Sequence, residues 1–347
     1  MKVQVKARNR AFELDVEPGD SILYGGLRTG VALPYECATG TCGTCKAKLI
    51  SGEVHDRWRE APGRKYLKAD QGEFLMCQCT AKSDLSIEVA TFISETAPGS
   101  VIPDKCVGVV RESHVLAKDI KTLTVELDSP REFDAGQFMA VAVPGIEGYR
   151  GYSMVNFDRH AKTLEFAIKR LPGGGVSEWL FNIDPTGVEL ELFGPLGGAT
   201  FYPGLGKNIL CIAGGSGIAG MMSIFSRGCQ EGYFKDHRGY LFFGVRTADD
   251  VFYLDELAAF KARYPETLNI TVAFSMGEVP ETITSKYPAL EFDVGFVHEV
   301  AARRMKGLYD NIIAYLAGPP PAVDSAIRTL VLEARLTADS IRYDKFS

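Results

Sequence analysis

The sequence predicts a multidomain fold of three consecutive parts: a small unit of short strands, an antiparallel β-barrel, and an α/β unit built on a parallel sheet. Three observations carry the prediction. Short runs with period-two alternation, KVQVKA, FELDV, CKAKLI and LSIEVA, fill residues 1–92. Six further alternating strands, with turn residues between them, crowd residues 105–203. Beyond residue 204 the pattern switches, and apolar strands take turns with helical stretches.

Each element follows from local chemistry. The first part holds one helix candidate, Ile22 to Arg28, and ends at ISETAPGSVIPDK, whose Pro, Gly and Ser content marks residues 93–104 as a linker. The barrel strands include KTLTVEL, QFMAVAV, RGYSMVN, TLEFAIK and GVELELF, spaced closely enough for a small antiparallel barrel. The third part supplies NILCIA, LFFGV, ITVAFS, IIAYLA and IRYD, separated by segments such as YLDELAAFKARY and AVDSAIRTLVLEARL. Strand and helix in turn imply parallel neighbours with helices on both faces.

Composition narrows the function. A chain of 347 residues with 46% hydrophobic content has room for two or three real cores. A net charge of −6 argues against a nucleic-acid binder, which needs a basic face. The opening MKVQVKARNR carries charge throughout, so no signal peptide is readable. The longest uncharged apolar stretch, Ile209 to Phe225, contains Gly214, Gly215, Ser216 and Gly217 and suits strand, turn and helix better than a membrane span. Eight cysteines are too sparse for a disulfide scaffold. A cytoplasmic monomer without membrane or nucleic-acid contacts is expected.

The cysteines carry the strongest chemical signal. Cys37, Cys42 and Cys45 have the spacing C-x4-C-x2-C, and Cys77 follows in FLMCQC, which is the plant-type ligand pattern for a 2Fe-2S cluster. Small residues between the ligands let backbone N–H groups turn toward the sulfur atoms, and Gly40 and Gly43 can adopt the positive φ such a loop needs. A structural zinc site on Cys42-x2-Cys45 is the alternative, but Cys77-x-Cys79 has the wrong spacing for a second knuckle. Cys77 is expected as the ligand and Cys79 as a buried neighbour, with Cys106, Cys211 and Cys229 in the core.

Residues 1–92 resemble a plant-type ferredoxin domain of β-grasp-like fold, and the remainder resembles the ferredoxin-NADP reductase superfamily of flavoproteins. Fused in this order, they resemble the one-chain reductase components of bacterial multicomponent oxygenases. The resemblance implies a 2Fe-2S cluster, FAD and NADH as cofactors. It divides the chain into a ferredoxin domain at 1–92, a linker at 93–104, an FAD-binding barrel at 105–203 and an NAD-binding α/β domain at 204–347.

The same resemblance assigns residues. Arg150, Tyr152 and Ser153 in RGYSM match the R-x-Y-S flavin motif, which implies that Arg150 pairs with the FAD pyrophosphate, Tyr152 packs on the isoalloxazine and Ser153 reaches the flavin N5. A guanidinium fork suits phosphate, and strand alternation puts Arg150 and Tyr152 on one face. Ile168 and Lys169 match positions lining the flavin through their backbone, while Gly174, Gly175, Val176 and Ser177 match the stretch that covers the pyrophosphate. CIAGGSGIAG is similar to the superfamily's G-G-T-G-x-A-P, which assigns Gly214, Gly215, Ser216 and Gly217 to the nucleotide and leaves Gly220 in place of proline. Arg246 matches a position facing ribose or phosphate. The family's C-G-P-P turn, which closes its fourth strand, is here Ala317, Gly318, Pro319 and Pro320, with the turn kept and the thiol lost. The ending YDKFS is similar to one that sets an aromatic, here Phe346, near the flavin. Ser153 and Ser216 are the expected catalytic residues.

The resemblance implies an NADH-dependent reductase that converts a two-electron donor into a one-electron supply for an outside acceptor. The five histidines, His55, His114, His160, His237 and His298, form no C-x-H and no E-x-x-H, so oxygen chemistry belongs to a partner. SGEVHDRWREAPG and AGQFMAVAVPGIEGYRGYSM resemble segments of reductases serving di-iron hydroxylases, which makes such an oxygenase component the expected partner. A Rieske oxygenase or a deoxysugar dehydrase is the alternative acceptor, and a zinc-containing binding protein the distant one. Arg57, Trp58 and Arg59 are expected as an exposed patch that docks to an acidic hydroxylase surface. The first 92 residues carry 13 Lys and Arg against 12 Asp and Glu, which is consistent with such a patch.

Overall fold

The computed structural model describes residues 1–345. In the first part, β1 (Lys2–Lys6) pairs antiparallel with β2 (Ala11–Asp15), and α1 (Ile22–Arg28) packs across the sheet. Ser21 starts the helix by accepting the Tyr24 N–H on its hydroxyl at 3.2 Å. Then follow β3 (Lys46–Ser51), β4 (Val54–Asp56), β5 (Glu73–Leu75), β6 (Cys79–Ala81) and β7 (Leu85–Glu88). The main sheet runs β2-β1-β7-β3-β5, with β1 and β7 parallel, while β4 and β6 form a separate pair. The three-residue strands β4, β5 and β6 are too short to show a period, and the sequence pattern does not reveal them.

The second part contains β8 (Asp104–Glu112), β9 (Val115–Ala117), β10 (Ile120–Arg131), β11 (Phe138–Ala142), β12 (Arg150–Ser153), β13 (Ala161–Lys169), α2 (Gly175–Asn182) and β14 (Glu189–Leu196). Its strands run β12-β11-β14-β8-β10-β13, and a bridge between Met154 and Phe166 closes the ends into a barrel. The sheet has seven strands where the pattern predicts six, the addition being the short β9 beside β10.

The third part is a parallel sheet of six strands. It is built from β15 (Asn208–Gly214), α3 (Ile218–Gln230), β16 (Gly239–Val245), α4 (Leu254–Arg263), β17 (Leu268–Phe274), α5 (Glu281–Lys286), β18 (Glu291–Val294), α6 (Val297–Arg304), β19 (Ile312–Gly318), α7 (Pro320–Leu332) and β20 (Ile341–Lys345). The order is β18-β17-β16-β15-β19-β20. Along β15 the side chains alternate, Ile209 and Cys211 toward α3 and Leu210 and Ile212 toward α6 and α7, so both faces are covered. The edge strand β18, EFDV, is half polar and escapes the apolar pattern, so the strand ending in Ala317 and Gly318 is the fifth of this part rather than the fourth. No helix among the described residues is long and apolar enough to cross a membrane.

The three parts share cores. The core of the first part includes Phe138, Ala140, Tyr149, Phe193 and Leu196 from the barrel wall. The barrel interior in turn is continuous with the α3 face of the parallel sheet. Strand β11 serves both, with Phe138 and Ala140 facing the first part while Met139 and Val141 fill the barrel. At the first seam Tyr24 stacks on Phe193 with ring centroids 3.9 Å apart and meets Tyr149 edge-on at 5.3 Å.

Removing that ring tests the seam. Tyr24→Ala is expected to cost roughly 3–5 kcal/mol, as for other buried aromatics, and Tyr24→Phe, which keeps the stack, about 1 kcal/mol. Urea unfolding followed by tryptophan fluorescence measures both. A Tyr24→Ala midpoint close to wild type would show that the seam is held elsewhere.

Candidate functional site

The loop before β3 turns its backbone inward. Ala38, Gly40 and Gly43 take positive φ values of 56°, 93° and 79°. The N–H groups of Thr39, Thr41 and Cys42 then point at the Cys37 sulfur, at 3.5, 3.3 and 3.4 Å. Those of Cys37 and Thr44 point at Cys42, both at 3.5 Å. Hydrogen bonds from the Cys42 thiol, the Thr41 side chain and these N–H groups hold the Cys37 thiol well below its usual range, against the cost of burial. On the other side, the Cys45 and Cys77 sulfurs lie 3.1 Å apart, and Gln78 donates its amide to Cys77 at 3.5 Å.

The four thiols therefore form two pairs, Cys37 with Cys42 ringed by backbone N–H donors and Cys45 with Cys77 beside the Gln78 amide, a donor set that suits a binuclear iron–sulfur cluster. Cys79 stands apart on β6, buried, its thiol pushed up to about 12 by burial.

Beside this loop lies a cavity of about 490 Å³ where all three parts meet. The cluster loop contributes Glu36, Cys37, Thr39 and Thr41 to its wall. Strand β12 adds Arg150, Gly151, Tyr152 and Ser153, and the start of α2 adds Gly174, Gly175, Val176 and Ser177. From the parallel sheet come Gly214, Gly215 and Ser216, with Gly318 and Pro319 at the end of β19. The first turn of α2 leaves N–H groups without helical partners, a natural seat for phosphate.

Arg150 is half-buried, and no carboxylate pairs with it among the described residues; burial lowers its pKa. Its Nη1 donates to the Tyr149 carbonyl at 2.9 Å, and its guanidinium lies 4.4 Å from the centroid of the Trp58 ring. A desolvated cation without an anion, next to a helix start, fits the pyrophosphate of FAD. Ser153 is buried opposite α3, where the Cβ that Gly220 lacks would lie 3.7 Å from the Ser153 hydroxyl. Glycine in place of the family proline thus leaves room beside this serine.

Four expectations are corrected or refined. The Ile168 side chain packs into the barrel core, 1% exposed, which leaves only its backbone to face the cavity that its neighbours Ala167 and Lys169 line. Gly217 does not reach the wall; it lets α3 approach β19, where any Cβ would collide with the Ala317 carbonyl. Ala317 is likewise buried beneath the wall. Arg246 lines a second cavity of about 220 Å³, which joins the first through Gly214, Gly215 and Pro319. There Arg246 lies 3.6 Å from Asp250, whose other oxygen accepts from the Thr247 N–H in a capping box. Phe346 lies outside the described residues.

The expected docking patch also changes. Only Arg59 is exposed; Arg57 donates to the Gly19 carbonyl at 3.3 Å, and Trp58 is half-buried under Arg150. Lys46, Lys65 and Lys68 are exposed as well, Lys46 directly after Cys45 and Lys65 next to Tyr66, whose ring covers Gly43 and is 53% exposed. Sequence reasoning also misses Asp344. It lines the main cavity, and burial pushes its carboxyl up to about 7 against the Gly198 N–H, with Glu36 adding to the rise. An acid closing an otherwise ordinary edge strand carries no signal of its own.

Comparisons with known proteins agree with this geometry. Residues 5–82 match the model of the 2Fe-2S iron-sulfur cluster binding domain, residues 108–201 that of the oxidoreductase FAD-binding domain, and residues 211–328 that of the oxidoreductase NAD-binding domain. The chain is 34% identical to a ferredoxin–NAD(P)+ reductase of Metapseudomonas resinovorans, covering 94% of this chain and 95% of the relative. It is 31% identical to the reductase component of phenol 2-monooxygenase of Pseudomonas sp. (strain CF600), covering 96% and 91%. Among solved structures it is similar to the ferredoxin reductase in carbazole 1,9a-dioxygenase, with a TM-score of 0.83, 32% identity and coverage of 100% and 99%.

The thiol pairs set a mutational test. Cys42→Ser is expected to lose iron and its visible bands while keeping flavin and NADH-driven reduction of a dye that accepts from flavin. Loss of dye reduction with flavin content intact would overturn the expected order, in which electrons pass from NADH to FAD and from FAD to the cluster.

Proposed function

The chain belongs to the reductase components of multicomponent oxygenases, in which a 2Fe-2S ferredoxin domain is fused to an FAD- and NAD-binding oxidoreductase module, and from that premise we propose that it carries electrons from NADH to an iron-dependent oxygenase. One observation supports the reading most. The cluster loop, the flavin strand and the nucleotide turn line a single cavity, so all three centres would sit side by side.

When bound, FAD and the cluster supply the conversion of a hydride donor into single electrons. The residues of the chain hold and orient. Cys37, Cys42, Cys45 and Cys77 would ligate the cluster, and their ring of N–H donors would stabilise its negative charge. Arg150, Lys169 and the leading N–H groups of α2 at Gly174, Gly175, Val176 and Ser177 would seat the pyrophosphate. Tyr152 would pack on the flavin ring. The hydroxyls of Ser153 and Ser216, both in the cavity wall, would flank the atoms that exchange hydride. Gly214, Gly215, Gly318 and Pro319 would position the nicotinamide nucleotide, with Arg246 at its far end. Because orientation rather than a protein nucleophile drives hydride transfer, Ala317 in place of cysteine is compatible with activity.

The acceptor we favour is the hydroxylase of a di-iron monooxygenase; the likeness to the phenol 2-monooxygenase reductase component supports it. The solved relative from carbazole 1,9a-dioxygenase supports a Rieske-type acceptor as the second reading. The chain would act in the cytoplasm as a monomer, with Arg59, Lys65 and Lys68 steering an acidic partner toward the cluster edge.

Two measurements test these proposals. Asp250 opposes a 2′-phosphate at Arg246, so NADH is preferred, and Asp250→Asn is expected to narrow the NADH-to-NADPH ratio of kcat/KM about tenfold. Equal use of both cofactors by the wild type would overturn the preference. Arg59→Glu with Lys65→Glu is expected to leave dye reduction unchanged and slow electron delivery to a purified di-iron hydroxylase, with wild-type delivery falling as ionic strength rises. Delivery insensitive to both removes the docking surface; efficient delivery only to a Rieske oxygenase removes the choice of partner.

A further inference from the structure

The flavin arginine does not stand on its own domain alone. Arg150 closes a half-buried guanidinium over the indole of Trp58, 4.4 Å from the ring centroid, and Trp58 belongs to the ferredoxin domain, between β4 and β5. The indole also lies against Gly148, where a Cβ would sit 3.7 Å from its Cε3. The backbone at Trp58 is fixed: its main-chain N–H donates to Asp56 Oδ1 at 3.1 Å, and Asp56 is in turn paired with Arg64. Its neighbour Arg57 donates an N–H to the carbonyl of Gln78 at 3.1 Å, and Gln78 donates to Cys77. Arg150 faces the cavity, whereas Trp58 does not line it.

We propose that Trp58 is a positioning residue of the flavin site, its indole holding the Arg150 guanidinium toward the pyrophosphate of FAD. The physical reasons are two. The ring face offers a desolvated guanidinium an attraction that needs none of its hydrogen-bond donors, so those donors stay available for phosphate. Stacking also confines a long, flexible side chain before the ligand arrives, which lowers the ordering cost of binding. The ferredoxin domain thereby contributes to FAD affinity without touching FAD. This inference rests on the proposed role of Arg150 and extends it.

The test is a double-mutant cycle on the full chain, reading the FAD dissociation constant by recovery of flavin fluorescence after removal and titration of FAD. Arg150→Ala alone is expected to weaken FAD strongly; if it does not, the role of Arg150 fails before Trp58 is in question. Trp58→Ala is expected to raise the dissociation constant about 5- to 10-fold in the wild-type background, and less than about twofold when Arg150 is already alanine. Trp58→Phe, which keeps a ring, should recover most of the loss. Iron content and cluster absorbance are measured on every variant, and should Trp58→Ala lose iron, Trp58→Phe and Trp58→Leu carry the comparison. Equal effects of Trp58→Ala with and without Arg150, or an unchanged dissociation constant, would overturn the proposal.

Discussion

The stack of Tyr24 on Phe193 is the contact on which the arrangement of sites depends. Tyr24 sits on α1 of the ferredoxin domain, fully enclosed, and its hydroxyl donates to the Ala38 carbonyl at 3.1 Å. Ala38 holds a left-handed conformation that a side chain ordinarily disfavours. One ring thus braces the cluster loop from behind while its face lies on the barrel wall. The polar contacts at this seam add orientation. Gly197 donates to the Tyr35 hydroxyl at 3.2 Å, and the buried Asp20 carboxylate pairs with Arg28 at 2.7 Å and with Lys105 at the start of the barrel. A buried ion pair adds little net stability, but breaking it strands a charge, so such a pair rejects misaligned docking.

That seam bears on how electrons travel within the chain. Swinging the ferredoxin domain away would bare Phe138, Ala140, Phe193 and Leu196, which now lie in its core. Exposing apolar area costs about 25 cal/mol per Å², so the shared core favours this pose. In that pose the Cys37 side of the loop faces the cavity, and the Cys37 carbonyl lies near Gly151 of the flavin strand. The opposite side, at Gly43 and Thr44, faces outward under Tyr66. If the cluster receives electrons from a flavin in the cavity and passes them to a partner on the Tyr66 side, entry and exit would lie on different edges of one loop.

Much of this was legible in residues alone, because it depends on local pattern. The cysteine spacing, the β–turn–helix at Gly214 and the limits of α1 are dictated by a few adjacent side chains. What escaped was set at a distance. The run QFMAVAV reads as a barrel strand, yet its unbroken apolarity reflects burial on two faces by two different domains. Trp58 and Arg57 read as exposed because their partners, Arg150 and Gly19, are far off in the chain. Ile168 and Gly217 fall inside matching motifs, but the motif does not say which residue faces the ligand and which faces the neighbouring element. Strand alternation explains the first and close helix–strand approach the second. Asp344 needed the fold itself, since only burial against Gly198 distinguishes it from any other surface acid.

The departure at Ala317 follows from the same distinction. Where the family carries a cysteine, this residue is 3% exposed, and its carbonyl abuts Gly217 at the head of α3. That contact fixes the height of the nucleotide turn through the backbone, whatever side chain stands at 317. The cavity wall here includes Gly318, Pro319 and Ser216, so a nicotinamide bound at this turn would meet backbone, a proline ring and one hydroxyl. The shape of the turn is thus preserved by small residues and close approach; what the missing sulfur would change is the positioning of a nicotinamide, in keeping with slower hydride transfer rather than none.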